Sequence, residues 1–347
     1  MGLDAANLLD AADRAVATLE KAATFEDASY DLYTGELSFK VRNHTGHKLL
    51  SGFPEGRRMW VNIKVIGPGE SLISEINPYD NNASTLKGIS FHYTDPDGIL
   101  PDPMPLSSSE ELVETLVYEM LPSSSLTGEE HTFHLVLADG RYKDNRIPPR
   151  GFRIEEAAER LAEPAWEGES TPGYFSAEEY LGGYDESGVE TERTATRIEL
   201  RLFYQTTSRE FIEFLRDEIN GTSGTLPGNG IAGDPPYLIQ SDPFFSQLKA
   251  WGDAIWQLWR HNRSIPGAAP ILMAETVIEL EGCGPLVLSD EVITTIETYF
   301  GCPSVTIGPN WNISDSGDVS IDAEEWITFG SGFSIDLGGR LSVDFDD

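Results

Sequence analysis

Apolar and polar residues alternate along much of the first 200 positions. In ELSFKVRN (36–43) and MWVNIKVI (59–66) every second side chain is apolar, which lays one face of a strand on a core and turns the other outward. Similar strand signals stand in ELVETLVYEML, HTFHLVLADG and ATRIELRLFYQTT. Between 67 and 110, Gly, Pro, Asn and Ser gather in NPYDNNAS and DPDGILPDPMP, which read as long loops. The simplest assembly of 28–206 is an antiparallel β-sandwich with decorated loops. Ahead of it, Leu8, Leu9, Ala12, Val16 and Leu19 share one face of a helix opposite Asp10, Asp13, Arg14 and Glu20. A chain that opens on such a packing helix reads as a piece of something longer.

After 206 the period changes from two to three or four. SREFIEFLRDEIN (208–220) and PFFSQLKAWGDAIWQLWRHN (243–262) predict helices, with Ser208 and Asp242 placed as N-caps. In the tail, VTIGPNWNISDSGDVSID (305–322) and ITFGSGFSIDLGGRLSVD (327–344) align without a gap at an offset of 22 residues. Alternation with recurrent glycine at that period is a β-solenoid signature, each repeat burying its apolar face only on a neighbour. Two repeats are few, so the stack is expected to lean on the preceding strand, 286–299. The expected fold class is mainly β with helices: an N-terminal packing helix (1–27), an antiparallel β-sandwich (28–206), a helical segment (207–275) and a short C-terminal β-solenoid stack (276–347).

The 347 residues carry 58 acids against 24 bases, a formal charge of −34. Such a surface repels phosphate backbones and anionic lipid, which disfavours nucleic-acid and membrane-surface partners. No run reaches the roughly 18 apolar residues a membrane span needs, and the N-terminus lacks the basic and apolar regions of a signal peptide. Two cysteines, Cys283 and Cys302, flank a strand-like segment. A bridge between them would close a loop worth about 3 kcal/mol and would imply an oxidising compartment; two buried thiols are the alternative.

Against this acidic background NHTGHKLLSGFPEGRRMW (43–60) concentrates two histidines, a lysine and two arginines. His47 sits at a strand end before a Gly-Phe-Pro turn, where a rigid loop can aim an imidazole outward to a metal or a haem iron; a hydrogen-bonded structural histidine is the plainer reading. Glu55, Arg57 and Arg58 read as a salt bridge locking the turn. In a second basic segment, GRYKDNRIPPRGF (140–152), Asp144 and Arg146 read as closing a tight loop. The functional alternative joins both segments, His44 and Lys48 included, into one positive spot for a haem propionate or another carboxylate. His131 and His134, three apart in a strand-like run, would face opposite sides of a sheet and make a poor zinc pair. No nucleophile stands at a readable spacing from a base, so an enzyme ranks last.

NHTGHKLLSGFPEGRRMWVNIKV, YEMLPSSSLTGEEHTFHLVLADGRYKDNRIPPRGF, YQTTSREFIEFLRDEINGT and SDPFFSQLKAWGDAIWQLWRHN together resemble the haem-free C-terminal region of bacterial extracytoplasmic multihaem c-type cytochromes, over about 1–275. The tail from LVLSDEVITTIETYFGCPSVTIG onward resembles the glycine-rich, coat-hanger-like β-stack modules at the C-termini of secreted bacterial proteins. The resemblance implies an extracellular, cell-surface or periplasmic accessory module of an electron-transfer system, non-catalytic itself, that docks on a haem-bearing domain. It maps a distal haem ligand onto His47. The chain has no C-x-x-C-H, so any haem would come from an upstream domain or a partner chain, and HKLLSG stands where the family would have a Pro-Thr-Gly type of turn. The alternative, motivated by the Asp- and Asn-rich loop 77–84, is a secreted carbohydrate- or calcium-binding adhesion protein.

Overall fold

The structure, a computed structural model, describes residues 5–31, 34–50, 56–89, 103–223, 248–266, 268–280, 286–301, 304–323 and 326–344. It is mainly β with helices. Helix α1 (Ala5–Leu19) precedes β1 (Ala23–Tyr30), β2 (Glu36–Asn43), β3 (Arg58–Gly67) and β4 (Ser71–Ile76). Then come β5 (Met120–Ser123), β6 (Gly140–Asp144), α2 (Ala177–Gly182), β7 (Tyr184–Glu190) and β8 (Arg197–Gln205). Helices α3 (Arg209–Asn220) and α4 (Lys249–Asn262) and strand β9 (Ile271–Glu279) come next.

Two antiparallel sheets face each other. One has the order β1-β2-β7; the other runs β9-β8-β3-β4, with the short strand Val117–Tyr118 also on β3 and Glu110–Glu111 added in parallel to β4. The alternation decides what lies between them: Leu37, Phe39 and Val41 of β2 meet Val61, Ile63 and Val65 of β3 and Ile198, Leu200 and Leu202 of β8. Each such side chain contributes about 1.5–3 kcal/mol on leaving water. Strand β3 is buried on both faces. Its outer face carries Trp60, packed between Tyr79 and Phe203, and Asn62, whose amide reaches Glu75 and the Ile76 carbonyl. A smaller antiparallel sheet of β5, β6, Ala165–Trp166 and Glu169–Ser170 lies beside the sandwich.

Strand β9 falls in the segment expected to be helical. Instead it returns from the helices to pair with β8 along its whole length, Arg197 opposite Glu279 through Tyr204 opposite Ile271. The first sheet likewise begins at Ala23, ahead of the expected boundary at 28. Helix α1 turns Val16 and Leu19 partly inward and leaves Leu9 exposed. Ser208 caps α3 as expected, its hydroxyl accepting the Phe211 N–H, whereas Asp242 lies outside the described residues. Helix α4 stacks Trp256 on Trp259 against Ile212 of α3. HTFHLVLADG is no strand: one 3-10 turn, Leu135–Leu137, stands in an irregular stretch, because the Thr132 hydroxyl accepts the His134 N–H and the His134 ring is tied elsewhere. ELVETLVYEML is likewise broken, by a 3-10 turn at Glu114–Leu116.

The C-terminal strands form three rungs: β10 (Leu286–Leu288), β11 (Val292–Ile293) and β12 (Ile296–Gly301); β13 (Ser304–Ile307), β14 (Asn312–Ile313) and β15 (Asp318–Ala323); β16 (Trp326–Phe329), β17 (Ser334–Ile335) and β18 (Arg340–Asp344). Rung pairs with rung in parallel, in three sheets. The sequence offset is the register: Val305 opposes Ile327, Ile313 opposes Ile335, Val319 opposes Leu341. The stretch expected as one leaning strand is a full first rung, broken by turns at Asp290 and Thr295, of which Asp290 has φ 55°. Val305, Ile307, Trp311, Ile313, Val319 and Ile321 are fully buried between rungs, and Trp311 stacks on Phe333 at 6.0 Å. Gly308 and Gly330 keep the turns close, since a Cβ on the first would lie 3.3 Å from the second's Cα. Cys283 and Cys302 lie outside the described residues.

Candidate functional site

The basic turn begins where β2 ends. Asn43 is buried, and its side chain organises the turn after it. Its Oδ1 accepts the Thr45 N–H and hydroxyl, both at 2.7 Å, while its Nδ2 donates to the carbonyls of His47 (2.8 Å) and Ile147 (3.0 Å). This is an Asx turn whose carboxamide also reaches the second basic segment. The Leu49 N–H bonds the Ile147 carbonyl, and Leu49, Leu50 and Ile147 enter the sandwich core. An exposed tip, 44–47, thus rides on a fixed base.

At that tip the His47 ring is exposed. Its Nδ1 lies 2.8 Å from the Lys48 carbonyl and 3.2 Å from the Thr45 hydroxyl. A carbonyl only accepts, so Nδ1 carries the proton in the neutral ring and Nε2 holds the lone pair. His44 is engaged differently: its Nε2 meets the Thr24 hydroxyl at 2.8 Å.

The two basic segments come together on a buried carboxylate. Arg146 holds Asp144 in a fork, Nε to Oδ1 at 2.8 Å and Nη2 to Oδ2 at 2.9 Å, and Lys48 Nζ reaches Oδ2 at 3.0 Å. Arg141 adds a contact at 3.5 Å. Burial raises the Asp144 pKa, but Arg146 and Lys48 more than offset this and hold it below the ordinary carboxylate value. Lys48 also moves down, since burial and the nearby arginines outweigh what it gains from Asp144. With three cations sharing one carboxylate, the pairing serves Asp144 more than it serves Lys48.

Beside this base lies a cleft of about 830 Å³ lined by Arg42, His44, Thr45, Arg150, Glu178 and Leu181, among others. Arg42 is spent on Glu26 (2.6 Å) and the Gly182 carbonyl (2.7 Å) and stacks over Tyr184. Arg150 is exposed. Next to the cleft the backbone is tight at Gly183, where φ is +71° and a Cβ would strike the Arg150 backbone.

Arg58 is not part of the turn. It starts β3 on the same face as Trp60, buried there 3.7 Å from Glu119 and 3.4 Å from Glu210, with Lys143 at 3.1 Å on the far oxygen of Glu119. The fork expected with Glu55 is therefore not where Arg58 goes; Arg57 is half-buried and Glu55 lies outside the described residues. His131 and His134 do not flank a sheet. Both His134 ring nitrogens face carboxylates, Glu129 at 3.3 Å and Glu218 at 3.0 Å. Burial disfavours its charged form, but these two bonds overcome that and push it up to about 9. His131, chiefly through burial, is pushed down to about 4. Among the described residues no three His, Cys, Asp or Glu side chains are grouped to hold a metal ion. In the acidic loop, Asp80 accepts the Asn82 and Ala83 N–H groups, and buried Asn77 ties Val61 to Val113.

Sequence reasoning missed Asn43 and Thr45, and took Arg150 only as part of the basic segment 140–152. The Asn-x-Thr spacing was a readable Asx-turn signal, and the expected meeting of the two basic segments has Arg150 and His44 lining one cleft.

No family model and no curated protein matches the chain. A search of solved structures finds a penta-heme cytochrome c552 from Thermochromatium tepidum, 11% identical, at a TM-score of 0.36. The match covers 76% of this chain and 41% of that one. Among the described residues no helix is long and apolar enough to cross a membrane.

Proposed function

We propose that the chain is a non-catalytic accessory module of an extracellular multihaem electron-transfer system, which docks on a haem-bearing domain and offers His47 as a distal ligand. The observation that carries this is the His47 ring: exposed, with Nδ1 committed to a backbone carbonyl and Nε2 left as the lone-pair nitrogen. A ligating histidine is commonly fixed in this way, because the bond on the far nitrogen sets the tautomer and the ring's aim. The haem would supply the electron-carrying centre; this chain has no C-x-x-C-H to hold one covalently, so it comes from a preceding domain or a partner chain. Within the cleft beside the turn, His44 and Arg150 are placed to receive a propionate. The uncovered part of α1, with Leu9 exposed, supports a docking role for that helix. The sequence resemblance to haem-free regions of multihaem cytochromes points the same way, and the parallel stack fits the spacing or secretion role of a short β-solenoid.

A ferric haem peptide carrying its own proximal histidine and an open sixth position tests the ligand directly. Titration with the intact protein is expected to give the low-spin bis-histidine spectrum. The exposed His47→Ala variant should keep the peptide high-spin, while His44→Ala should still ligate. Identical titrations for His47→Ala and the parent chain would remove His47 from the reading.

A further inference from the structure

We propose that Tyr118 is a redox-active tyrosine, which gives up an electron while handing its phenolic proton to Asp185. The two residues meet across the sandwich: Tyr118 stands opposite Met59 of β3, Asp185 of β7 opposite Val41 of β2, and the Tyr118 hydroxyl donates to Asp185 Oδ2 at 2.5 Å. That is the short separation of a hydroxyl bonded to an ionised acceptor. The Ser187 hydroxyl donates to the same oxygen at 2.9 Å. Tyr118 is 0% exposed and Asp185 8%, so a radical formed there is shielded from water.

A bond that only held the two sheets together would not need an acid. Asparagine would accept the same two hydroxyls without a buried charge, whereas burial pushes the Asp185 carboxyl up to about 6, and Glu179 of α2 and neighbouring Glu186 raise it further. Its hydrogen-bond donors are hydroxyls and not cations. What such a carboxylate supplies beyond a neutral amide is a place for a proton. In the step, the Tyr118 O–H bond breaks, an O–H bond forms on Asp185 Oδ2, and the electron leaves to a one-electron oxidant, a metal centre of high potential. A neutral phenoxyl then stands beside a neutral acid, and the interior holds no charge. The frame is fixed on both sides of the phenol: Asn145 Nδ2 donates to the Val117 carbonyl and its Oδ1 accepts the Glu119 N–H, each at 3.0 Å. The same Nδ2 lies 3.5 Å from the hydroxyl of half-buried Tyr174, whose ring packs on half-buried Trp166 at 5.6 Å. These two rings are the way out for the electron.

The test uses the intact chain and a photogenerated ruthenium(III) polypyridyl complex as oxidant, so it stands apart from the ligand role proposed for His47. Electron paramagnetic resonance after freezing is expected to show a neutral tyrosyl radical. Tyr118→Phe, which removes only the hydroxyl, should lose most of that signal. Asp185→Asn keeps an acceptor but not the base, and should slow radical formation about tenfold or more. Ser187→Ala should form the radical as the parent chain does. In the parent the rate should fall as the pH drops through about 6, where Asp185 takes up a proton, with Tyr118, Tyr174, Glu179 and Glu186 the titratable groups acting on it. That profile is read on the parent chain alone, so it decides the matter even if a variant fails to fold. No tyrosyl radical in the parent, an undiminished one in Tyr118→Phe, or a parent rate that does not change between pH 5 and 8 would each overturn the proposal.

Discussion

The C-terminal stack and the charged layer around α3 are both buried, by opposite means. In the stack, apolar columns of the second and third rungs close on neighbours 22 residues away, each strand pairing with its counterpart in the next rung. The charged layer draws Arg58, Glu119, Lys143, Glu129, His134, Glu210 and Glu218 from distant segments into one dry region. Arg209 and Glu213 pair at 2.8 Å within the same helix. A buried apolar column tolerates a missing methylene as a local cavity, whereas a buried ion left alone has no local remedy. The stack should therefore fail locally and the charged layer as a whole.

The sharpest way to break that contrast is Arg58→Ala. It takes the arginine away from buried Glu210 and leaves buried Glu119 with Lys143 alone, and should cost about 3–5 kcal/mol, seen as a lowered denaturant midpoint for the whole sandwich. Ile321→Ala should cost about 2–4 kcal/mol but confine the loss to the stack, visible as early exchange of amides at 304–344 while those of β3 and β8 stay protected. If Ile321→Ala lowers both regions equally, the two do not unfold separately. The smallest effect is with pH. His134 has its folded pKa raised to about 9, against about 6.5 unfolded. The clamp from Glu129 to Glu218 is therefore fully stabilising below about pH 6.5 and is lost as the pH rises through about 9, a change of about 2 kcal/mol once solvent screening at the Glu129 side reduces the ~3.4 kcal/mol of the bare shift. Thermal melts at pH 6, 8 and 10 should show that decline, and Glu218→Gln should flatten it.

The same contrast explains what could be read in advance. The stack was legible because its partner positions recur at a fixed offset, so Trp311 over Phe333 is visible on paper. The sandwich strands β2, β3 and β8 were legible through alternation, and α3 through its Ser208 cap. Strand β9 was misassigned because it comes directly after an aromatic helix, and nothing in ILMAETVIE says that β8 lies ready beside it. The tip at His47 was legible as a strand end, but its tautomer depends on a carbonyl one residue on. Arg58 was misread because a residue beside a turn looks exposed until the acids that call it inward, 61 and 152 positions away, are seen in space. Charge partners carry no period, so a sequence offers no ruler for finding them.

The fork on Asp144 bears on how a redox partner would arrive. Lys48, Arg141 and Arg146 all turn toward Asp144, and Arg141 also holds Glu163, so these cations are largely engaged inward and the net positive charge left beneath the turn is small. The attraction felt at a distance is that of the acidic body, which gathers a cationic visitor from every side without telling it where to land. On the proposed reading, recognition would be deferred to the last few ångströms, where the shape of a single turn decides.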